Sequence, residues 1–238
     1  MNKFIKSILV SVFLALFIAG CSVKDFNKVA EPEEKVFVYD RPAVSQELLK
    51  TVHEIINAMS QNNLQLLSTK FINQKFGVYN LYKVDGFEDF TYQKLFYNIV
   101  QGDIIKVEEF SDLVSRVPKK AVLLPIIQTD ATFNCSPYND AYYGWTNHGL
   151  FLSTNTFTKL EKLMEEKNML KKDAFKKEDL HKAKMINLMS YKVILTPEIV
   201  FHLNKLDDGK WYITLIDRIT TNCSVKKDSK NESTRILE

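Results

Sequence analysis

The chain offers few side chains that could exchange protons near neutral pH. Its histidines are His53, His148, His181 and His202. An Asp-Gly turn at Asp208 would place His202 opposite Leu215, with Asp217 as its diagonal neighbour on the same face of a hairpin. An imidazole beside a carboxylate is the arrangement of an acid–base pair in a hydrolase cleft, and it also occurs as a polar contact on a sheet surface. A one-residue slip in register would separate the two side chains.

A second group of chemically useful side chains lies in a polar and aromatic stretch, residues 128–148, which predicts a long loop. The candidate binding residues in it are Tyr138, Asp140, Tyr142, Tyr143, Trp145 and His148. Flat aromatic faces beside amide and carboxylate groups can stack on sugars, and exposed Tyr and Trp are enriched where proteins bind each other. The alternative is a loop whose aromatic side chains fold back onto the core beside Cys135.

Several kinds of site have no pattern in this sequence. It has no zinc-ligand spacing, no glycine-rich nucleotide loop and no nucleophile elbow, so we expect no metal and no cofactor. The formal net charge of +3 is too small to indicate a nucleic-acid partner. Lysines cluster over residues 171–184 but alternate with acids, which predicts a solvated helical surface, with a patch for an anionic partner as the alternative.

The N-terminal residues have the pattern of an export signal. Two lysines precede an apolar run over residues 8–18, which suits a signal-peptide core but is shorter than the roughly 20 residues that cross a bilayer. The run ends in Ile18, Ala19, Gly20 and Cys21, which resembles the lipobox of bacterial lipoproteins. The resemblance implies cleavage before Cys21 and an effectively permanent attachment to a membrane through lipid on that cysteine. An ordinary signal peptide or an uncleaved anchor is the alternative.

Export would decide which membrane holds the protein and whether its remaining cysteines are oxidised. Bacterial lipoproteins with Asp after the lipidated cysteine often stay in the inner membrane, whereas residue 22 is Ser here, which favours the periplasmic face of an outer membrane. Cys135 and Cys223 would then share an oxidising compartment. A disulfide between them is the economical interpretation, and two free thiols are the alternative.

The elements that position these residues follow from periodicity. Helices are predicted after Ser45 and over residues 64–67, 108–117, 156 to about 168, and about 173–189. Strands are predicted over residues 76–84, 90–99, 121–124, 191–206 and 210–219. Pro197 is expected at a sheet edge or at a bulge. These elements predict an α+β domain, an antiparallel sheet with helices packed on one face. Its opening helix and final Trp211 strand resemble the nuclear transport factor 2-like or cystatin-like class.

The predicted organisation comprises a signal peptide (1–20), a lipidated N-terminus with a tether (21–42), one domain (43–225) and a mobile tail (226–238). We expect a lipid-anchored cell-envelope protein that is not an enzyme and that binds or assembles with an envelope protein partner. The second hypothesis is a tethered module for a small ligand or a glycan. The third is a hydrolase that uses His202 and Asp217.

Overall fold

A computed structural model of the chain describes residues 39–100, 103–106, 108–135 and 144–223. The predicted signal peptide, Cys21, most of the predicted tether and the predicted tail lie outside the described residues. So do four of the candidate loop residues, Tyr138, Asp140, Tyr142 and Tyr143. Residues 39–42, which were predicted to end the tether, contact the domain: the hydroxyl of Tyr191, for example, donates to the Pro42 carbonyl at 2.7 Å.

The described chain contains pairs of helices separated by groups of three or four strands. The helices are α1 (Gln46–Ser60), α2 (Leu64–Phe71), α3 (Glu108–Ser115), a 3₁₀ helix (Lys119–Leu123), α4 (Leu160–Leu170) and α5 (Lys177–Met189). The strands are β1 (Val78–Val84), β2 (Phe87–Gln93), β3 (Tyr97–Val100), β4 (Asp103–Lys106), β5 (Ile126–Ile127), β6 (Phe133–Asn134), β7 (Gly144–Trp145), β8 (Leu150–Ser153), β9 (Tyr191–Leu195), β10 (Ile199–Lys205) and β11 (Trp211–Asp217).

Seven of the strands form one sheet in the order β2-β1-β11-β10-β9-β8-β5. The predicted α+β class is confirmed, but the sheet is mixed rather than antiparallel, because β1 pairs in parallel with β11 and β5 with β8. The pairs β3-β4 and β6-β7 form two small separate sheets. The parallel pairing of β1 with β11 joins the early hairpin to the end of the domain.

One face of the sheet packs against α1, α2 and α3. Ser45 caps α1 as predicted, with its side chain accepting from the Leu48 amide at 3.2 Å. The apolar face of α1 contributes Leu48, Val52, Ile55, Ile56 and Met59, all of them buried. They share a core with inward side chains of the sheet such as Phe201 and Ile213.

The other face packs against α4 and α5, whose Leu160, Met164 and Ile186 meet Tyr79 and Leu215 of the sheet. The prediction of helices on one face is therefore wrong. Successive side chains on β1 and β10 point to opposite faces and both faces are buried, so each strand has a cover on both sides. The resemblance to the nuclear transport factor 2-like or cystatin-like layout is not confirmed.

Three local predictions need correction. Residues 119–123 form the 3₁₀ helix rather than a buried strand, and Leu123 on it is 82% exposed. Strand β8 was missed, although all four of its residues are buried. The predicted strand 191–206 is two strands, because Pro197 lies in the turn between β9 and β10, after a cis peptide bond from Thr196, and not on an edge or at a bulge.

The last hairpin pairs His202 with Leu215 as predicted, but its loop and its register differ from the predicted ones. Lys205 pairs with Trp211, so the loop has five residues (206–210) rather than a two-residue turn. A bulge then shifts the register between His202 and Leu203, and Thr214 is the extra residue. The longer loop shifts the register by one residue, and the bulge shifts it back, so His202 and Phe201 have the partners that the two-residue turn predicted.

Candidate functional site

The described part of the candidate binding loop is divided between core and surface. Trp145 is 5% exposed, and its indole Nε1 donates to the Pro197 carbonyl at 2.6 Å. Its ring meets that of Phe133 edge-on, with 5.2 Å between the ring centres. Trp145 is therefore a packing residue that holds the β9–β10 turn, as the alternative interpretation of the loop expected, whereas His148 is exposed.

The disulfide is present between Cys135 and Cys223, whose sulfur atoms are 2.15 Å apart and whose Cα atoms are 5.3 Å apart. It joins the residue after β6 to the segment that follows β11. Two parts of the chain separated by 88 residues are thereby fixed to each other at the end of β6, the strand that pairs with β7. The predicted pairing is confirmed.

A layer of buried polar side chains lies between the sheet and α5. Asn204 Nδ2 donates to the Met185 carbonyl at 3.1 Å, and the bulge residue Thr214 donates to Asn204 Oδ1 at 2.6 Å. Also on α5, Asn187 Oδ1 accepts from the amide and the hydroxyl of Thr158, two residues before α4, at 2.9 and 2.8 Å. These contacts give α5 hydrogen bonds at fixed positions in addition to its apolar packing.

His202 is fully buried in this layer. Its Nδ1 lies 3.0 Å from the Ser190 hydroxyl oxygen, and that hydroxyl donates its hydrogen to the Ile186 carbonyl at 2.5 Å. Since a serine has one hydroxyl hydrogen, Nδ1 must be the donor to Ser190, which makes Nε2 the unprotonated nitrogen. Among the described residues no hydrogen-bond partner reaches that Nε2.

The electrostatic surroundings keep His202 neutral. Burial lowers its pKa from 6.5 to about 3, and the positive charges of Lys192 and Arg41 act in the same direction. A histidine in this state is a poor proton acceptor at any physiological pH. It can serve as a fixed hydrogen-bonding group between the sheet and the end of α5.

Asp217 has different partners from His202. Its carboxylate accepts from the amides of Ile219 and Thr220 at 2.8 and 3.0 Å, and from the Thr220 hydroxyl at 2.6 Å. It therefore fixes the turn that follows β11. Within the described ranges no hydrogen bond or ion pair joins His202 to Asp217, so the structure gives no support to the predicted acid–base pair.

The two cations near His202 are each bound to protein groups. Lys192 Nζ lies 3.1 Å from Asp130 Oδ1, and Asn155 donates to Asp130 Oδ2 at 2.8 Å. Burial alone would raise the pKa of Asp130, but hydrogen bonds and the charge of Lys192 outweigh it and hold that pKa below its usual value. Arg41 donates to Thr156 Oγ1 at 2.8 Å and lies over the Tyr191 ring.

An open cleft of about 290 Å³ lies beside the β9–β10 turn. Its lining comprises Arg116, Pro118 and residues 195–199, and more of that lining is apolar than polar. Arg116 and Glu198, which both line the cleft, form an ion pair. The Pro197 carbonyl, which accepts from Trp145, belongs to the same turn.

Sequence reasoning missed an exposed apolar pair, Met169 and Leu170, at the end of α4. The signal was available, because the apolar pair directly precedes the lysine-rich stretch. The prediction ended the helix at about residue 168, and it treated the lysines as a solvated face.

Together these features define an α+β domain in which a mixed sheet lies between two helical layers, with a polar layer on one side and a disulfide that joins the end of β6 to the segment after β11. No protein-family model matches the chain, and neither the curated proteins nor the solved structures show a match to it. In the described ranges, no group of three or more His, Cys, Asp and Glu side chains is arranged to hold a metal ion. No described helix is both long and apolar enough to cross a membrane.

Proposed function

We propose that this chain is a lipid-anchored cell-envelope protein, attached through Cys21 and facing the periplasm, that works as a non-enzymatic interaction or assembly component. The observation that carries the proposal is the Cys135–Cys223 disulfide. Structural disulfides persist in oxidising compartments, which a bacterial protein reaches by export. The apolar run and the sequence Ile18-Ala19-Gly20-Cys21 supply a route to that compartment.

The bonding of the polar side chains supports the non-enzymatic part of the proposal. His202 is neutral and bound to Ser190, Asp217 fixes a turn of its own chain, and Lys192 binds Asp130. Each of these groups has a structural contact where a catalytic group would face a substrate. The interaction with an envelope protein is therefore assigned to the surface of the domain.

Lipidation is tested by growing cells with a clickable palmitate analogue and comparing the wild-type chain with Cys21→Ala. We expect the wild type to carry the label in the membrane fraction, and Cys21→Ala to lose the label and either leave the membrane or remain unprocessed. Ser22→Ala is the matched control, because it alters the neighbouring residue and keeps the thiol. Label retained in Cys21→Ala would refute the anchor.

The interaction role is tested by mild cross-linking in intact cells, detergent extraction and mass spectrometry of proteins recovered in near-equal amount. A reproducible stoichiometric envelope partner is the expected result. A lone monomer would contradict the assembly role and favour the second candidate, a tethered module for a small ligand or glycan.

The observation that favours this second candidate is the cleft beside Pro197, where Arg116 and apolar side chains such as Leu195 and Ile199 share one lining. Its test is a thermal-shift screen of envelope glycans and small carboxylates, with Arg116→Gln expected to abolish any shift. A ligand whose shift survives Arg116→Gln would bind elsewhere.

A further inference from the structure

The last two residues of α4 expose apolar side chains to solvent. Met169 is 82% exposed and Leu170 is 89% exposed. The residues that follow them, up to the start of α5, include Lys171, Lys172, Lys176 and Lys177, all exposed, with Asp173 as the only acid among residues 169–177. We call residues 169–177 the helical tip.

The helical tip is closed at its base by specific contacts. Asn168 Nδ2 donates to the Phe175 carbonyl at 3.1 Å, and the Phe175 amide donates back to Asn168 Oδ1 at 2.7 Å. The Phe175 ring packs against Phe90 of β2 at 5.3 Å between ring centres. The fold therefore fixes the position of the helical tip while Met169 and Leu170 stay exposed, which reduces the entropy that the tip would lose on binding a surface.

The chain that leads to Cys21 joins the domain near this tip. The Tyr39 hydroxyl lies 2.7 Å from His181 Nδ1, and Lys184 Nζ is 5.3 Å from the centre of the Tyr39 ring. His181 is about one helical turn from Lys177, the first residue of α5. Residues 22–38 can span at most roughly 60 Å, whatever their conformation. A membrane anchor at Cys21 would thus keep the tip within reach of the bilayer.

We propose that the helical tip is a membrane-docking site for anionic phospholipid. Met169 and Leu170 enter the headgroup region, and the four lysines face the lipid phosphates. Exposed apolar side chains with flanking lysines match the surface of an anionic bilayer, where an apolar acyl region lies beneath negatively charged headgroups. The inference rests on the proposed lipid anchor, which brings the tip to the surface at high effective concentration.

The test uses the full lipidated chain, reconstituted into vesicles of phosphatidylethanolamine with phosphatidylglycerol or of phosphatidylcholine alone. Leu170→Trp reports on the tip, and the chain's own Trp145 and Trp211 give a constant background because they are 5% and 3% exposed. Leu123→Trp is the matched control, since Leu123 is 82% exposed on the 3₁₀ helix, which packs with α1 on the opposite face of the sheet. Thermal melting of each variant checks that the fold is intact.

We expect the emission of Leu170→Trp to shift to the blue on anionic vesicles, with quenching by doxyl groups placed near the headgroup at least about twice that of Leu123→Trp. Adding Lys171→Gln and Lys172→Gln should lower the ratio of docked to undocked tip by about fivefold per lysine. Water-like emission of Leu170→Trp on anionic vesicles would overturn the proposal. Equal quenching of the two Trp variants would overturn it as well.

The anchor and the docking site can fail separately. The mass of the N-terminal peptide shows whether Cys21 carries lipid, independently of any fluorescence. A chain without lipid whose Leu170→Trp emission still shifts on anionic vesicles supports the docking site and refutes the anchor. A blue shift that occurs without vesicles, together with a dimer in sedimentation, would assign the tip to a second copy of the chain and overturn the lipid proposal.

Discussion

Acid should destabilise the domain through His202 before most carboxylates titrate. In the folded chain, burial and the charges of Lys192 and Arg41 lower the pKa of His202 to about 3, whereas the exposed ring of the unfolded chain has a pKa of 6.5. The unfolded state therefore binds the proton more tightly. The free energy of unfolding contributed by His202 is fully present above pH 6.5 and is lost as the pH falls from 6.5 towards 3.

The size of the effect follows from the two pKa values. Proton linkage gives a loss of about 2 kcal/mol between about pH 7.5 and pH 5, and of about 4 kcal/mol once the pH reaches 3. A domain of this size is typically stable by about 5–15 kcal/mol, so the first of these losses is large enough to measure. Because the folded ring stays neutral between pH 7.5 and 5, nearly all of the proton uptake in that window belongs to the unfolded state.

The assay is urea unfolding of the wild-type chain and of His202→Asn at both pH values. Asparagine retains an amide donor near Ser190 and cannot take up a proton in this range. We expect the wild type to lose about 2 kcal/mol more than His202→Asn on acidification, whatever stability the substitution itself costs at pH 7.5. His148→Asn is the control, because His148 is exposed. Equal pH dependence in the wild type and in His202→Asn would refute the reasoning.

Three further predictions concern stability. Replacing both Cys135 and Cys223 with Ser should lower the free energy of unfolding by about 4–5 kcal/mol, because an 88-residue separation is no longer closed in the unfolded state; an unchanged urea midpoint would contradict it. Trp145→Phe should cost about 1–2 kcal/mol by leaving a carbonyl of the β9–β10 turn without its donor, and a melting temperature equal to the wild type would exclude this. Asn187→Ala should cost about 1–3 kcal/mol and speed hydrogen exchange at the Thr158 amide, whereas retained protection would show that another acceptor replaces Asn187.

The parts of the fold that depend on neighbouring residues could be predicted from the sequence. Ser45 caps α1 because its side chain needs only the amide three residues later. Asp85 and Gly86 turn the β1–β2 hairpin because both adopt positive φ, 51° and 78°. The Cys135–Cys223 pairing followed from the cysteine count alone, because one partner remained for each cysteine once Cys21 had been assigned to lipid.

The parts that depend on distant contacts could not be predicted. Strand β8 is short and buried throughout, so it has no alternation of apolar and polar residues to indicate a strand. The parallel pairing of β1 with β11 joins residues far apart in sequence. The hydrophobic pattern of a strand shows only which of its faces is buried, and not which strand lies beside it. In the candidate sites, residue type was enough to single out His202 and Trp145. What these two side chains do depends on their burial, and that burial comes from packing between distant parts of the chain, which the sequence does not show.

The buried polar layer has a consequence for the surface of the domain. Apolar packing alone would allow α5 to slide along the sheet, whereas the contacts of Asn204 with Met185 and of His202 with Ser190 are satisfied in one position. Helix α5 begins at Lys177 in the helical tip and carries His181, where Tyr39 joins the domain. His202, which was first considered for catalysis, and Asn204 therefore set how the tip is oriented relative to Tyr39, where the predicted tether meets the domain. Substituting them should alter membrane docking even where the fold survives.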